Sequence, residues 1–434
     1  MSESKKKVPI LKWAVGLESL KALLSVCLFV AFGCARAAAQ PVSGQDWPQW
    51  GGPRRDFKSD STGLAGRWPA RGPRRMWSRP LGEGHSAIVA EGERLYTMYR
   101  RGQQEIVVSL DSKTGKTIWE YNYAAPYLPK MDMSYGAGPH STPLVSGALI
   151  MAIGSTGKLF CLEKLTGRKR WSHDLWQEYG GTHLHLGYSS SPIAYKNTLI
   201  IQVGGAGRAL MAFDLNNGRV IWQALNYINS YSSPIIINVD GQDQLVAFML
   251  NEIIGVDPNN GAFLWSYLIS AKWDFHFNIS TPVWGRDNLL FASAAYGIGG
   301  RVLRLTRSGG KTVVKELWQS ERTRVHKENA VRVGDVIYAS TGHTGPAFFT
   351  AIDAKTGRVL WQDRRFSHAN FLYADGRFII LDEDGALGLA TPAPNGLAVH
   401  SKVEMLTSRS WTVPTLVGRT LFLRDRKNIM ALQL

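Results

Sequence analysis

The sequence predicts an all-β fold: an eight-bladed β-propeller of four-stranded antiparallel blades, closed by an N-terminal strand that joins the C-terminal blade. Three observations predict it. A ten-residue unit recurs along the chain. A Ser/Thr-Pro step precedes a β-rich run in most of the same units. The 434 residues also include 44 Gly and 15 Trp, which suits many tight turns and a repeated aromatic packing position. Repeats of about 40–50 residues with four short strands each make propeller blades.

The first element is an address. Lys5, Lys6, Lys7, Lys12 and Lys21 precede the apolar run 22–32, and small residues with an Ala37-Ala38-Ala39 end follow. A charged region, a short apolar region and an A-x-A site form a secretory signal, so 1–39 is expected to be a signal peptide and the chain to be exported to the periplasm or cell envelope. An uncleaved membrane anchor and a lipid-modified Cys34 are the alternatives. Residues 1–39 carry six basic and two acidic side chains, so the formal charge of +16 falls to +12 on cleavage. Cys161 is then the single remaining cysteine, which excludes a disulfide scaffold and a multi-cysteine zinc site.

An N-terminal extension, 40–73, precedes the propeller, 74–434. The recurring unit begins as Leu110-Asp111-Ser112-Lys113-Thr114-Gly115-Lys116-Thr117-Ile118-Trp119 and returns with acids at 163, 214, 257 and 353. Each acid is followed four residues later by Gly and eight residues later by Trp. It reads as a hairpin, with Gly supplying positive φ and the acid accepting turn N–H groups. The step from 257 to 353 is twice the usual length, so a degenerate copy lies near Leu305, with Trp318 as its Trp. Trp77, Trp119, Trp171, Trp222, Trp265, Trp318 and Trp361 mark outer strands and are read as core packing residues. An eighth, degenerate outer strand lies near Val399–Val403. The last unit holds three strands, and the strand at Arg74–Pro80 completes it, which leaves no open edge.

These repeats, with the opening Asp46-Trp47-Pro48-Gln49-Trp50-Gly51-Gly52-Pro53, resemble the PQQ-like (quinoprotein alcohol dehydrogenase-like) β-propeller family over nearly the whole mature chain. The resemblance implies the fold and leaves two functions. One branch binds pyrroloquinoline quinone (PQQ) with Ca²⁺ and oxidises alcohols or sugars. The other is non-catalytic and includes BamB, the propeller subunit of the outer-membrane β-barrel assembly machinery. Many quinone enzymes place a disulfide of adjacent cysteines over the cofactor and carry long insertions, and this sequence has neither. No catalytic residue is therefore assigned and no cofactor is expected; PQQ with Ca²⁺ is the alternative.

Histidine placement is the remaining signal. His85, His140, His185, His276, His326 and His368 lie just before inner strands, where connections between blades converge on the channel mouth. Tyr188, Tyr231, Asn278, Asn329 and Asn370 fall in comparable places, and His183 is two residues from His185 on an extended segment. These twelve residues are the candidate ligand-binding set; whether they take a metal is left open. The basic side chains are dispersed over turns, so nucleic acid is not expected. The expected function is a monomeric, exported binding or scaffolding module whose partners are envelope proteins or a small ligand at one propeller face, with possible BamB-like work in outer-membrane protein assembly. The N-terminus is a further candidate for membrane association. A PQQ-dependent oxidoreductase using the channel mouth is the alternative.

Overall fold

Each repeat folds into one blade because its inner three strands are apolar on both faces and its outer strand on only one. Leu149–Ile153 is buried at four consecutive positions, whereas Thr117–Ala124 buries only Trp119 and Tyr123. The structure, a computed structural model, describes residues 46–127, 131–272 and 276–434. The expected signal segment, with Cys34, and the start of the extension lie outside the described residues. Among those described, 32 strands form eight four-stranded antiparallel sheets, and the helical element is a single 3₁₀ turn, Glu321–Thr323.

Blade 1 runs through Val89–Glu91, Arg94–Arg101, Gln104–Asp111 and Thr117–Ala124. Blades 2 to 7 follow in the same order, with inner strands starting at Leu144, Ile193, Ile235, Val283, Ala330 and Asn370. Blade 8 takes Thr415–Val417, Thr420–Arg424 and Asn428–Gln433 from the C-terminus and Arg74–Pro80 from the start of the propeller, paired antiparallel from Arg74↔Gln433 to Pro80↔Asn428. The predicted closure and the count of eight are both observed.

The motif is explained by what one blade does to the next. Asp111 Oδ1 accepts from Lys113 N, Thr114 N and the Thr114 hydroxyl at 2.7–3.1 Å, which builds the turn. Gly115 has φ +70°, and a Cβ there would lie 2.5 Å from the ring of Trp77 in the preceding blade. Trp77 Nε1 in turn donates to the Ser112 carbonyl at 2.9 Å. The same bond links Trp119 to Lys164, Trp171 to Leu215, Trp222 to Pro258 and Trp318 to Ala354. Gly is therefore required twice, by its dihedral and by the indole lying on it. Trp265 is the exception and donates to Gln244 Oε1, because blade 5 replaces the motif with a Gly309-Gly310 hairpin. In blade 7 the Trp position is Ser401, whose hydroxyl accepts from the backbone N of Trp68 in the extension. Trp68 is buried in the same cluster as Leu387 and Leu389, so the extension supplies an aromatic that this blade lacks.

The Ser/Thr-Pro steps fasten inner strands to one another. Ala87 N donates to Thr142 Oγ1, Thr142 N to Ser191 Oγ and Ser191 N to Ser233 Oγ, at 2.9–3.1 Å. The Thr415 hydroxyl donates to the Ile88 carbonyl and carries the ring across its closure. The extension crosses the face that holds the turns. It pairs at Trp47↔Ala90 and Lys58↔Tyr373, and it sends Arg55 to the Pro192 and Ser191 carbonyls and Trp50 Nε1 to Thr281 Oγ1. It thus reaches blades 1, 3, 5 and 7 in one short segment.

Candidate functional site

The connections between blades meet on the opposite face, around a cavity of about 400 Å³. Its walls bring together five residues of the predicted set: His85, His140, His185, Tyr231 and His326. Trp50, Asp132, Tyr135, Phe277, Tyr296, Lys327, Glu328, His343 and Trp411 complete the chemistry of the lining. The mouth reaches solvent at His185, whose side chain is 44% exposed, and at Asp132, 3.6 Å from it.

The other seven predicted residues lie outside the lining. His183 stacks on Trp176 with centroids 4.2 Å apart, so it and His185 do not act as a pair. The Tyr188 hydroxyl donates to the Gln202 carbonyl. His276 meets the Leu250 carbonyl through Nε2, and Asn278 donates to the Met249 and Leu250 carbonyls. Asn329 and Asn370 tie blade 6 to blade 7: Asn329 N donates to Asn370 Oδ1, and Phe371 N to Asn329 Oδ1. These polar groups satisfy buried backbone where blades meet, which is what buried polar side chains most often do.

His368 stands behind the wall. Its Nδ1 is 2.8 Å from Glu328 Oε1 and its Nε2 is 2.8 Å from the Gly345 carbonyl, so the imidazolium donates both ways. The hydrogen bond to Glu328 raises the His368 pKa. Glu328 is buried, yet His368 and Lys327 hold its pKa down to about 2. Lys327 Nζ lies 3.2 Å from Glu328, 3.8 Å from Glu383 and 4.9 Å from the centre of the Trp411 ring. Trp411 Nε1 donates to Glu383, which also pairs with Arg409.

The lining imidazoles are different. Burial, aided by the neighbouring His140, lowers His85 to about 3; burial, aided by Arg100, lowers His140 to about 4. Burial lowers His326 to about 4 despite Glu328. All three are neutral at pH 7. His85 and His140 stack at 5.7 Å with an interplanar angle of 8°, and the Tyr296 hydroxyl meets His326 Nε2 at 3.0 Å. Signals for the missed residues existed in part: Lys327-Glu328 adjoins His326 in sequence. Tyr296 and His343 lie between the second and third strands of their blades, away from the segments before inner strands where the histidine pattern runs.

PQQ is a flat tricarboxylate held with a hard cation. Such a cation wants six to eight oxygen ligands, and the three carboxylates want free cations. Among the described residues, the lining offers the carboxylates of Asp132 and Glu328, the second already paired, and the ammonium of Lys327, which lies between Glu328 and Glu383. Among the described residues no three His, Cys, Asp or Glu side chains are placed to share an ion. These residues do not fit PQQ with Ca²⁺.

The fold and the cavity define an eight-bladed propeller of the PQQ-like repeat class with an aromatic, imidazole-lined central site. The chain belongs to the family described as outer membrane protein assembly factor BamB, whose model matches residues 61–229, 103–362 and 299–434. It is 20% identical to BamB of Yersinia pestis over 305 residues, 67% of this chain and 73% of that protein. It superimposes on the crystal structure of BamB from Moraxella catarrhalis with a TM-score of 0.57 and 17% identity, covering 83% of this chain and 100% of that one. The quinohemoprotein alcohol dehydrogenase of Comamonas testosteroni gives a TM-score of 0.64 at 13% identity, over 93% and 82%. The structural likenesses show the shared fold; at these identities they do not choose between the branches.

Proposed function

We propose that this chain is an exported, non-catalytic propeller that holds protein partners in the cell envelope and serves outer-membrane protein assembly. The observation that carries the reading is the family match, which spans 61–434. The internal pairing of Glu328 and Lys327 supports it, because neither group is left for a quinone, its cation or a substrate hydroxyl. The test is complementation. In a strain lacking BamB, this chain is expected to restore the level of assembled outer-membrane β-barrel proteins and to fractionate with the envelope. A tight optical change with PQQ and Ca²⁺, together with dye reduction by alcohols or sugars, would replace this reading with the oxidoreductase one.

A further inference from the structure

The proposed scaffolding function assigns no role to the central cavity. At about 400 Å³ it falls within the range of small-ligand sites, about 300–1,000 Å³. One end is floored by Trp50, fixed by its bond to Thr281 Oγ1 at 2.9 Å. The other end opens past Tyr135, which is 48% exposed.

Its charges cancel within the protein. Glu328 is neutralised by His368 and Lys327, Lys327 is shared with Glu383, and Asp132 accepts from Ser134 N and faces His185. Among the described lining residues, an anion would meet Lys327 already facing two carboxylates, and a cation would meet a Glu328 carboxylate that is fully covered. Burying an unpaired charge costs several kcal/mol. Flat apolar faces are abundant in the same lining: Tyr231, Phe277, Tyr296, Trp411 and Trp50.

Among the described lining residues, the buried polar side-chain atoms lacking partners are all imidazole nitrogens. His85 Nδ1, His140 Nε2 and His326 Nδ1 are buried and have no hydrogen-bond partner in the protein. His85 Nε2 faces the Tyr135 carbonyl, which only accepts, so Nε2 carries the proton and Nδ1 presents a lone pair. His140 Nε2 is likewise unpartnered, and its ring stacks on His85 with centroids 5.7 Å apart. Each unsatisfied group costs about 1–3 kcal/mol, and a donor on a ligand would recover it.

We propose that the central cavity binds an uncharged ring compound with apolar faces and O–H or N–H donors on its edge. Pyranosides and phenolic or heteroaromatic rings share that chemistry. The rings pack among the aromatic faces, and the donors reach the imidazole lone pairs of His85 and His140.

Two matched pairs test this on the full chain by calorimetry and tryptophan fluorescence: methyl glucoside against glucuronate, and phenol against benzoate. At least one neutral member should bind with a Kd of about 1 mM or tighter, and its carboxylate counterpart about tenfold more weakly. The pair that shows this identifies the source of the ring. His140→Phe and, independently, His85→Phe keep a flat ring but remove the nitrogens; with a wild-type melting midpoint, either should weaken neutral binding about tenfold. Leu165→Ser, on a distant exposed turn, should bind like wild type. Equal or tighter binding of a carboxylate member overturns the proposal, as does failure of both neutral probes at about 10 mM, or binding indifferent to both histidine variants. The same variants in the complementation assay keep this result separate from the scaffolding one.

Discussion

Arg424 closes the ring, and removing its guanidinium should open it locally. The residue is fully buried. It donates to the carbonyls of Ser86, Met98 and Gly84 and to Thr97 Oγ1 at 2.7–3.0 Å, so one side chain of blade 8 holds the entry and second strand of blade 1. Burial pulls its pKa down to about 10, which leaves it charged at pH 7. In Arg424→Met the Ser86 carbonyl keeps the Thr97 hydroxyl as donor, whereas the Met98 and Gly84 carbonyls lose this one. Two buried acceptors at about 1–3 kcal/mol each give about 4 kcal/mol, partly offset because the variant no longer buries a charge. At about 2.1 cal/mol/K of unfolding entropy per residue, a chain of this length would melt only about 5 °C lower. Hydrogen exchange is the sharper assay: protection should fall in Asn428–Gln433, Arg74–Pro80 and Arg94–Arg101 while Gln242–Phe248 of blade 4 keeps its own. Uniform loss of protection, or a melting midpoint within 1 °C of wild type, would refute the idea that this residue fastens the closure.

Gly218→Ala should cost at least about 2 kcal/mol, because its Cβ would lie 2.7 Å from the Trp171 ring at φ +74°, whereas Gly241→Ala, with nothing within 4 Å, should cost about 1. Urea unfolding of the two side by side checks the difference. Trp171→Phe removes the 3.0 Å bond to the Leu215 carbonyl and should lower stability by about 1–3 kcal/mol in the same assay. Glu105→Gln leaves Arg100 buried without its counter-ion and should cost about 3–5 kcal/mol, and it should loosen the segment that Arg100 holds at the Ala125 and Ala137 carbonyls, read by proteolysis near Tyr135. Acid should destabilise the protein early. His85, His140 and His326 have folded pKa values of about 3 to 4, below the unfolded value near 6.5, so between those limits the unfolded chain binds more protons and stability falls with pH. The slope should be about 2–4 kcal/mol per pH unit. Glu328 adds to the loss only below its unfolded value near 4.5, whereas the His368 contribution is complete below 6.5 and is lost as pH rises through its raised pKa. Denaturant melts from pH 4.5 to 8 read both limbs.

The blades were legible in the sequence because packing dictates them. The Gly four residues after each acid must take a left-handed dihedral and must leave room for an indole, so its identity recurs wherever the geometry does. The missing copy was hidden because a Gly-Gly hairpin makes the turn in another way. Trp68, standing in at blade 7, comes from a segment outside the repeat and has no periodic signal. The cavity was half legible. Histidines before inner strands were found at His85, His140, His185 and His326, but the same placement also serves His276, Asn278, Asn329 and Asn370, which bond backbone where blades meet. Position along the blade fixes height on the axis; it does not fix whether a side chain turns inward or back toward its neighbour.

That separation explains how one fold serves two branches at low identity. Acid, Gly, Trp and Ser/Thr-Pro positions are held by contacts between neighbouring blades, so the fold asks for them independently of any ligand. The connections on the cavity face divide their side chains between such contacts, as at Asn329 and Asn370, and the cavity lining, as at His326 and Lys327. In this chain the wall of the cavity carries its own charge network: Lys327, His368 and Arg409 face Glu328 and Glu383 beside Trp411. Glu328→Gln should break that network and leave Lys327 and His368 short of a partner. It should narrow the tenfold preference for neutral over carboxylate probes, because the cavity then holds uncompensated positive charge. If the preference is unchanged, the selectivity is set by shape alone.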